Sequence, residues 1–122
     1  MKKEDPEREE RIEMNALVDT YSVYEAVAGW YAYLENDLEF PFLIEGKNSL
    51  VQTVTGLCDS EEFDGDFYVW VKEGSDRLML RLSDLKIAEA SSESIQVIED
   101  WQYFCDRGAN HALVESDEEE WY

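Results

Sequence analysis

Apolar residues in the first third of the chain recur at helical intervals, with charged residues between them. From Pro6 to about Tyr24 the apolar set is Ile12, Leu17, Val18, Tyr21 and Tyr24. From Val23 to Asp37 one face carries Val27, Trp30, Tyr31 and Leu34, with Gly29 marking a bend or a close approach to a neighbour. Pro41 disfavours the helical conformation at Phe40. The pattern therefore predicts amphipathic helices within residues 6–38, followed by an extended segment.

The middle of the chain changes to the alternating pattern that is typical of strands. The runs LVQTVTGLCD and DFYVWVKEG alternate, and RLMLRLSDLKIAEA adds a strand, a tight SDL turn and a further short strand. The residues EGSD, which precede Arg77, form a hairpin loop in this interpretation. Short strands at this spacing predict a small five-stranded SH3-like β-barrel over residues 40–90.

The last periodic segment is SIQVIEDWQYFC, in which Ile95, Ile98, Trp101 and Phe104 share a helical face. It predicts a helix over residues 94–105, capped by Ser92 or Ser94. Residues 106–122 end in ESDEEEWY and read as an acidic C-terminal tail. The fold class is thus α+β, a single domain over residues 1–105 in which N-terminal helices and a C-terminal helix pack on the barrel.

Charge narrows the classes of partner. The chain has 30 acidic residues against 10 basic ones, a formal net charge of −20. This sign excludes nucleic acid and anionic membranes as main partners and favours a metal cation or a basic protein. We also expect a cytoplasmic protein. The chain has no apolar run near the roughly 20 residues of a membrane span, its N-terminus lacks a signal sequence, and Cys58 and Cys105 read as buried reduced thiols.

The stretch YLENDLEFPF concentrates acids where the second helix should end. Glu35, Asp37 and Glu39 would oppose the helix dipole there, since exposed carbonyls already carry partial negative charge. With Asn36 they supply the hard oxygen ligands that Ca²⁺ accepts in flexible geometry, whereas Mg²⁺ demands a stricter octahedron. The sequence therefore predicts a calcium site here. Its candidate ligands are Glu35, Asn36, Asp37 and Glu39, together with Glu99 and Asp100, which either complete the site from across the fold or simply face water.

Other interpretations compete with this one. An acid cluster is often only a solvated face. The stretch DSEEFDGD, residues 59–66, fails the EF-hand pattern, because Gly65 at the sixth loop position places Val71 where a bidentate Glu is required. The main rival function is an acidic interaction protein, a nucleic-acid mimic or inhibitor, that binds a basic partner. An enzyme with paired carboxylates would need a cleft and a partner group, so we expect no catalytic activity.

Four segments in this order resemble a known family: REERIEMNALVDTY, GWYAYLENDLEFPF, LRLSDLK and IEDWQYF. They are similar to the small cyanobacterial calcium-binding proteins called CcbP, over roughly residues 1–105. The resemblance implies an acidic cytoplasmic protein with helices on an SH3-like barrel, which binds Ca²⁺ through surface carboxylates without an EF-hand, becomes more compact and buffers free calcium. It implies metal binding by the acids of YLENDLEF and of IED.

Overall fold

The structure is a computed structural model that describes residues 5–61 and 63–114. Its three helices are α1 (Pro6–Asn15), α2 (Val23–Asp37) and α3 (Ser92–Asp106). Its five strands are β1 (Phe42–Glu45), β2 (Val51–Leu57), β3 (Tyr68–Glu73), β4 (Asp76–Arg81) and β5 (Ile87–Glu89). Short 3-10 turns occupy Lys47–Ser49, Leu82–Asp84 and Ala109–Leu113. The predicted α+β class is confirmed.

Helix α1 is shorter than the apolar spacing predicts. It begins after Asp5, whose carboxylate accepts the N–H of Arg8 at 3.1 Å, and it ends at Asn15. The chain then reverses through Asp19, which has a left-handed φ of 57°. A Cβ at Gly29 of α2 would overlap the carbonyl oxygen of Ala16. Gly29 is therefore the point of close approach, and only a residue without a side chain fits there.

The five strands form one antiparallel sheet in the order β4-β3-β2-β1-β5. Alternate residues of the central strands face the core, so that Val54 of β2 pairs with Val71 of β3 and both are fully buried. The predicted hairpin joins β3 to β4 at Gly74, with a positive φ of 62°. Strands β4 and β5 form the two edges, so the sheet is open and closure into an SH3-like barrel is not confirmed.

The core lies between the sheet and the pair of helices α2 and α3. Trp30 of α2 and Trp101 of α3 are fully buried, and their ring centroids lie 4.9 Å apart in an edge-to-face arrangement. Phe67, which precedes β3, lies 4.8 Å from Trp101. Edge-to-face packing is the favoured geometry for aromatic pairs and adds about 0.5–1.5 kcal/mol beyond burial. This aromatic cluster fixes α2 beside α3.

Helix α3 begins earlier than predicted, because Ser91 rather than Ser92 or Ser94 is its N-cap and accepts the N–H of Ser94 at 3.1 Å. The packed fold also extends into the segment that the sequence assigns to the tail. In Ala109–Leu113, Leu113 is buried and the Asn110 side chain donates to the carbonyl oxygen of Gly65 at 2.7 Å. Residues 115–122 of the predicted tail lie outside the described residues. None of the described helices has the length and apolarity to cross a bilayer.

Candidate metal centre

The acidic end of α2 meets the beginning of α3. Leu38 leaves the helix in an extended conformation, and no basic residue lies in the last turn of α2 to offset its free carbonyls. The Ser94 hydroxyl bridges the two elements, because it accepts the N–H of Glu39 at 2.8 Å and donates to the carbonyl oxygen of Asp37 at 3.4 Å. Ser94 is fully buried. The backbone at the candidate site is therefore fixed.

Asp37 faces this junction together with an acid of α3. Burial raises the pKa of the Asp37 carboxyl group above its usual value, and the negative charges of Glu93 and Asp100 raise it further. Glu93 lies in the first turn of α3 and is exposed. The two carboxylates therefore repel each other across the helix junction. A cation placed near them would relieve that repulsion.

Glu93 was absent from the sequence-based ligand set. Its spacing from Asp37 in the chain gives no hint of proximity, which arises only from the packing of α2 on α3. The available signal was local: an acid in the first turn of a helix, where it favours the dipole. That signal explains a structural role and does not indicate a ligand.

The predicted ligands on α2 do not all face the same way. Consecutive helical residues are turned by about 100°, so Glu35 and Asp37 lie on nearly opposite sides of the helix. Burial raises the pKa of Tyr31, and the charge of Glu35 and then that of Asp59 raise it further, which places Glu35 on the side of the β2–β3 connection. Asn36 and Glu39 are exposed. Asp37 and Glu39 thus belong to the α2–α3 junction, and Glu35 to another face.

Asp100 has a fully buried side chain and is bound to cationic partners of α1. The guanidinium of Arg11 donates to both of its carboxylate oxygens, at 2.9 and 2.7 Å, and Arg8 lies 3.3 Å away. The Tyr33 hydroxyl donates a further hydrogen bond of 2.7 Å. The hydrogen bond to Asp100 raises the pKa of Arg11, whereas burial and then the hydrogen bond to Asp100 raise the pKa of Tyr33. Asp100 therefore joins α1, α2 and α3, and its assignment as a metal ligand stays a prediction.

Glu99 is the exposed neighbour of Asp100, and its carboxylate lies 3.7 Å from the guanidinium of Arg8. It is directed towards α1, and its part in a metal site also stays a prediction. Within residues 5–61 and 63–114, no three carboxylate, thiol or imidazole groups form a cluster that could hold a metal ion.

A second group of acids lines an open cleft of about 780 Å³ beside the β2–β3 connection. Asp59, Glu61 and Asp64 lie at its surface with the Tyr31 and Tyr68 rings. Two of these acids already accept local hydrogen bonds: Asp64 from the Tyr68 hydroxyl at 2.9 Å, and Asp59 from the N–H of Glu61 at 3.1 Å.

Asp66 of the same connection is buried and serves the core. Its carboxylate accepts the indole N–H of Trp101 at 2.9 Å and the N–H of Phe67 at 2.8 Å, and it also binds the Ser83 hydroxyl. Hydrogen bonds of this kind satisfy a buried carboxylate without a metal ion. The structure thus gives Asp66 a structural role.

This arrangement defines a class of protein: a small α+β fold with acidic, oxygen-rich surfaces at the junction of its helices. The sequence matches the profile of the CcbP family, described as calcium binding, over residues 10–105. The chain belongs to this family, and the predicted resemblance is confirmed.

Two solved structures are similar to the chain. The crystal structure of Anabaena CcbP has 32% sequence identity and a TM-score of 0.78, over 88% of this chain and 95% of that one. A calcium binding protein in the calcium-binding form has 33% identity and a TM-score of 0.71, over 85% of this chain and 93% of that one. No curated protein sequence matches significantly.

Proposed function

We propose that the chain binds Ca²⁺ without an EF-hand and buffers or senses cytoplasmic calcium, with no catalytic role. Membership of a calcium-binding family supports the ion, and the Ser94-bridged junction where Asp37 faces the acidic first turn of α3 is the observation that carries the site. Asp37, Glu39 and Glu93 are the carboxylates we assign to it, with Asn36 beside them. The free thiols Cys58 and Cys105 support a reducing compartment.

The mechanism is electrostatic. Exposed Glu39 and Glu93 side chains can turn towards Asp37, while the buried Ser94 hydroxyl holds the backbone of the junction in place. Carboxylate and amide oxygens are the ligands that Ca²⁺ accepts, in numbers and geometries that are not rigid. A bound dication would offset the repulsion from Glu93 that, after burial, raises the pKa of Asp37. Calcium would then stabilise the folded chain and bring the carboxylates of the junction closer together.

The experiment is a calcium titration by calorimetry and by thermal unfolding. A hundredfold excess of Ca²⁺ over its dissociation constant stabilises a folded protein by about 2.7 kcal/mol. At roughly 4 °C per kcal/mol for a chain of this size, the melting temperature rises by about 10 °C. Sodium chloride at equal ionic strength provides the control. An equal rise in both salts would show general charge screening and would refute a specific site.

Substitutions locate the site. Asp37→Asn, Glu39→Gln and Glu93→Gln each remove one negative charge at the junction, and we expect each to weaken calcium binding about tenfold, or about 1.4 kcal/mol. The matched controls are Glu118→Gln and Glu119→Gln, which make the same charge change in the acidic C-terminal sequence. Equal losses in both groups would contradict the assignment to the junction.

The second candidate function is an acidic interaction protein that binds a basic protein partner, as a nucleic-acid mimic or inhibitor. The net charge of −20 favours it, because such a surface attracts positively charged proteins over long distances. This function predicts a salt-sensitive association that does not require millimolar Ca²⁺. A binding assay in EDTA separates it from the calcium function.

A further inference from the structure

An open groove of about 810 Å³ runs along α2, away from the α2–α3 junction. Helix α2 forms one wall of the groove, and the β2–β3 connection and the last described turn of the chain form the other. Its floor is apolar and comprises Val23, Val27, Ala28, Phe63, Leu113 and Val114. This concave apolar lining on a highly charged protein offers a place where the apolar side chains of a partner can be buried.

Aromatic and aliphatic side chains along this groove are left open to solvent. Tyr24 is 83% exposed and Val114 is 41% exposed. Tyrosine is among the residues that contribute most to binding at interfaces, because it offers a large rigid ring together with a hydroxyl group. The groove therefore presents the apolar centre that a docking surface requires.

The rim of the groove is acidic. Asp59 and Glu61 are exposed at its edge, and no basic residue is among the described residues that line it. Helix α2 contains no Lys or Arg. The sequence that follows Val114 begins ESDEEE, which adds five further carboxylates of the same sign.

We propose that this groove binds a basic amphipathic segment of a partner protein, whose apolar side chains contact the floor and whose Lys or Arg residues face the acidic rim. The combination of an apolar floor with a rim of one sign is the complement of an amphipathic basic helix. The chain's own C-terminal residues are a poorer match. They contain Trp121 and Tyr122, but they carry the same sign of charge as Asp59 and Glu61. This proposal rests on the second candidate function above and is independent of the calcium site.

Fluorescence anisotropy with a labelled amphipathic Leu/Lys peptide, in EDTA, tests the proposal on the full chain. A Ser/Lys peptide of equal charge and a Leu/Glu peptide are the comparison probes. We expect the Leu/Lys peptide to bind about tenfold more tightly than the Ser/Lys peptide, since an apolar contact of about 1.4 kcal/mol corresponds to that factor. The Leu/Glu peptide is expected not to bind.

Two variants separate the groove from simple charge attraction. Val27→Glu adds a negative charge but disrupts the floor, so it should weaken Leu/Lys binding about tenfold if the groove is used and strengthen it if only charge matters. Tyr24→Ala truncates an exposed side chain, which leaves folding intact, and should weaken binding about fivefold. The matched control is Tyr21→Ala, an 86% exposed tyrosine that does not line the groove and should have no effect.

Three results would overturn the proposal. Equal binding of the Leu/Lys and Ser/Lys peptides would show that charge alone attracts them, which leaves the second candidate function standing without the groove. Absence of binding by either cationic peptide at low salt would reject the groove proposal and the second candidate function together. The calcium titration would be unaffected by that result. Leu/Lys binding that appears only in Trp121→Ala, and not in the wild-type chain, would show that the C-terminal residues rather than a partner segment occupy the groove.

Discussion

The ion pair around Asp100 gives the sharpest test of the structure. Asp100→Asn keeps the size of the side chain but removes its charge, and the new amide N–H₂ then faces the donors of Arg11. The wild-type carboxylate accepts two hydrogen bonds from Arg11, at 2.7 and 2.9 Å, and one from the Tyr33 hydroxyl at 2.7 Å, with Arg8 at 3.3 Å. The substitution therefore weakens every contact of this carboxylate at once.

The size of the effect follows from burial. Removing one partner of a buried ion pair costs about 3–5 kcal/mol. Asp100 is fully buried, but the side chains of Arg8 and Arg11 are 22% and 26% exposed and keep part of their hydration. The lower end of that range applies, so we expect a loss of about 3 kcal/mol. At roughly 4 °C per kcal/mol, the melting temperature falls by about 12 °C.

Urea denaturation followed by far-UV circular dichroism measures the loss in free energy of unfolding. Glu99→Gln is the matched control, because it removes the adjacent charge from an exposed pair that contributes only about 0–1 kcal/mol. Calcium affinity is measured on the same variants. If Asp100→Asn unfolds normally but no longer binds calcium, the structural interpretation is refuted and Asp100 is a metal ligand.

Three further outcomes follow. Burial and nearby carboxylates raise the pKa of Asp37, so its contribution to stability is fully present below the ordinary carboxyl pKa and is lost progressively as the pH rises from there through the higher folded value. Asp37→Asn should therefore raise the calcium-free free energy of unfolding at neutral pH by about 0.5 kcal/mol or less, and calorimetry that shows destabilisation would contradict this. Gly29→Ala should lower the free energy of unfolding by about 1–3 kcal/mol, because the new Cβ overlaps the backbone of Ala16. Gly56→Ala has room for its Cβ and should not lower it, and urea denaturation measures both. Burial raises the pKa of the Cys58 and Cys105 thiols, so a thiol reagent should modify the native chain at neutral pH far more slowly than the unfolded chain.

The sequence predicted the helices and strands that depend on regular burial. Helices α2 and α3 and the β3–β4 hairpin were visible because their apolar spacing or turn residues are local properties. The length of α1 was not visible. Val18, Tyr21 and Tyr24 continue its apolar spacing, yet they are 49%, 86% and 83% exposed. Spacing shows which residues share a face, but it does not show whether another element covers that face.

The candidate site was predictable in the same limited sense. The acids that end α2 are adjacent in sequence, and their conflict with the helix dipole is a local signal. Tertiary packing brings Glu93 close to Asp37 and pairs Asp100 with Arg11. These residues are far apart in the sequence, so no local pattern indicates either contact. Closure into an SH3-like barrel is not confirmed, and the strand pattern could not settle it, because strand order does not determine whether the edge strands meet.

The contact between Trp30 and Trp101 joins the same two helices whose ends form the candidate metal centre. Two indole rings 4.9 Å apart at an interplanar angle of 75° form a coupled chromophore, whose near-ultraviolet circular dichroism depends on their mutual orientation. If ion binding changes the spacing or angle of α2 and α3, the mutual orientation of the two rings changes with it. Near-ultraviolet circular dichroism during a calcium titration would then follow the helices without a label.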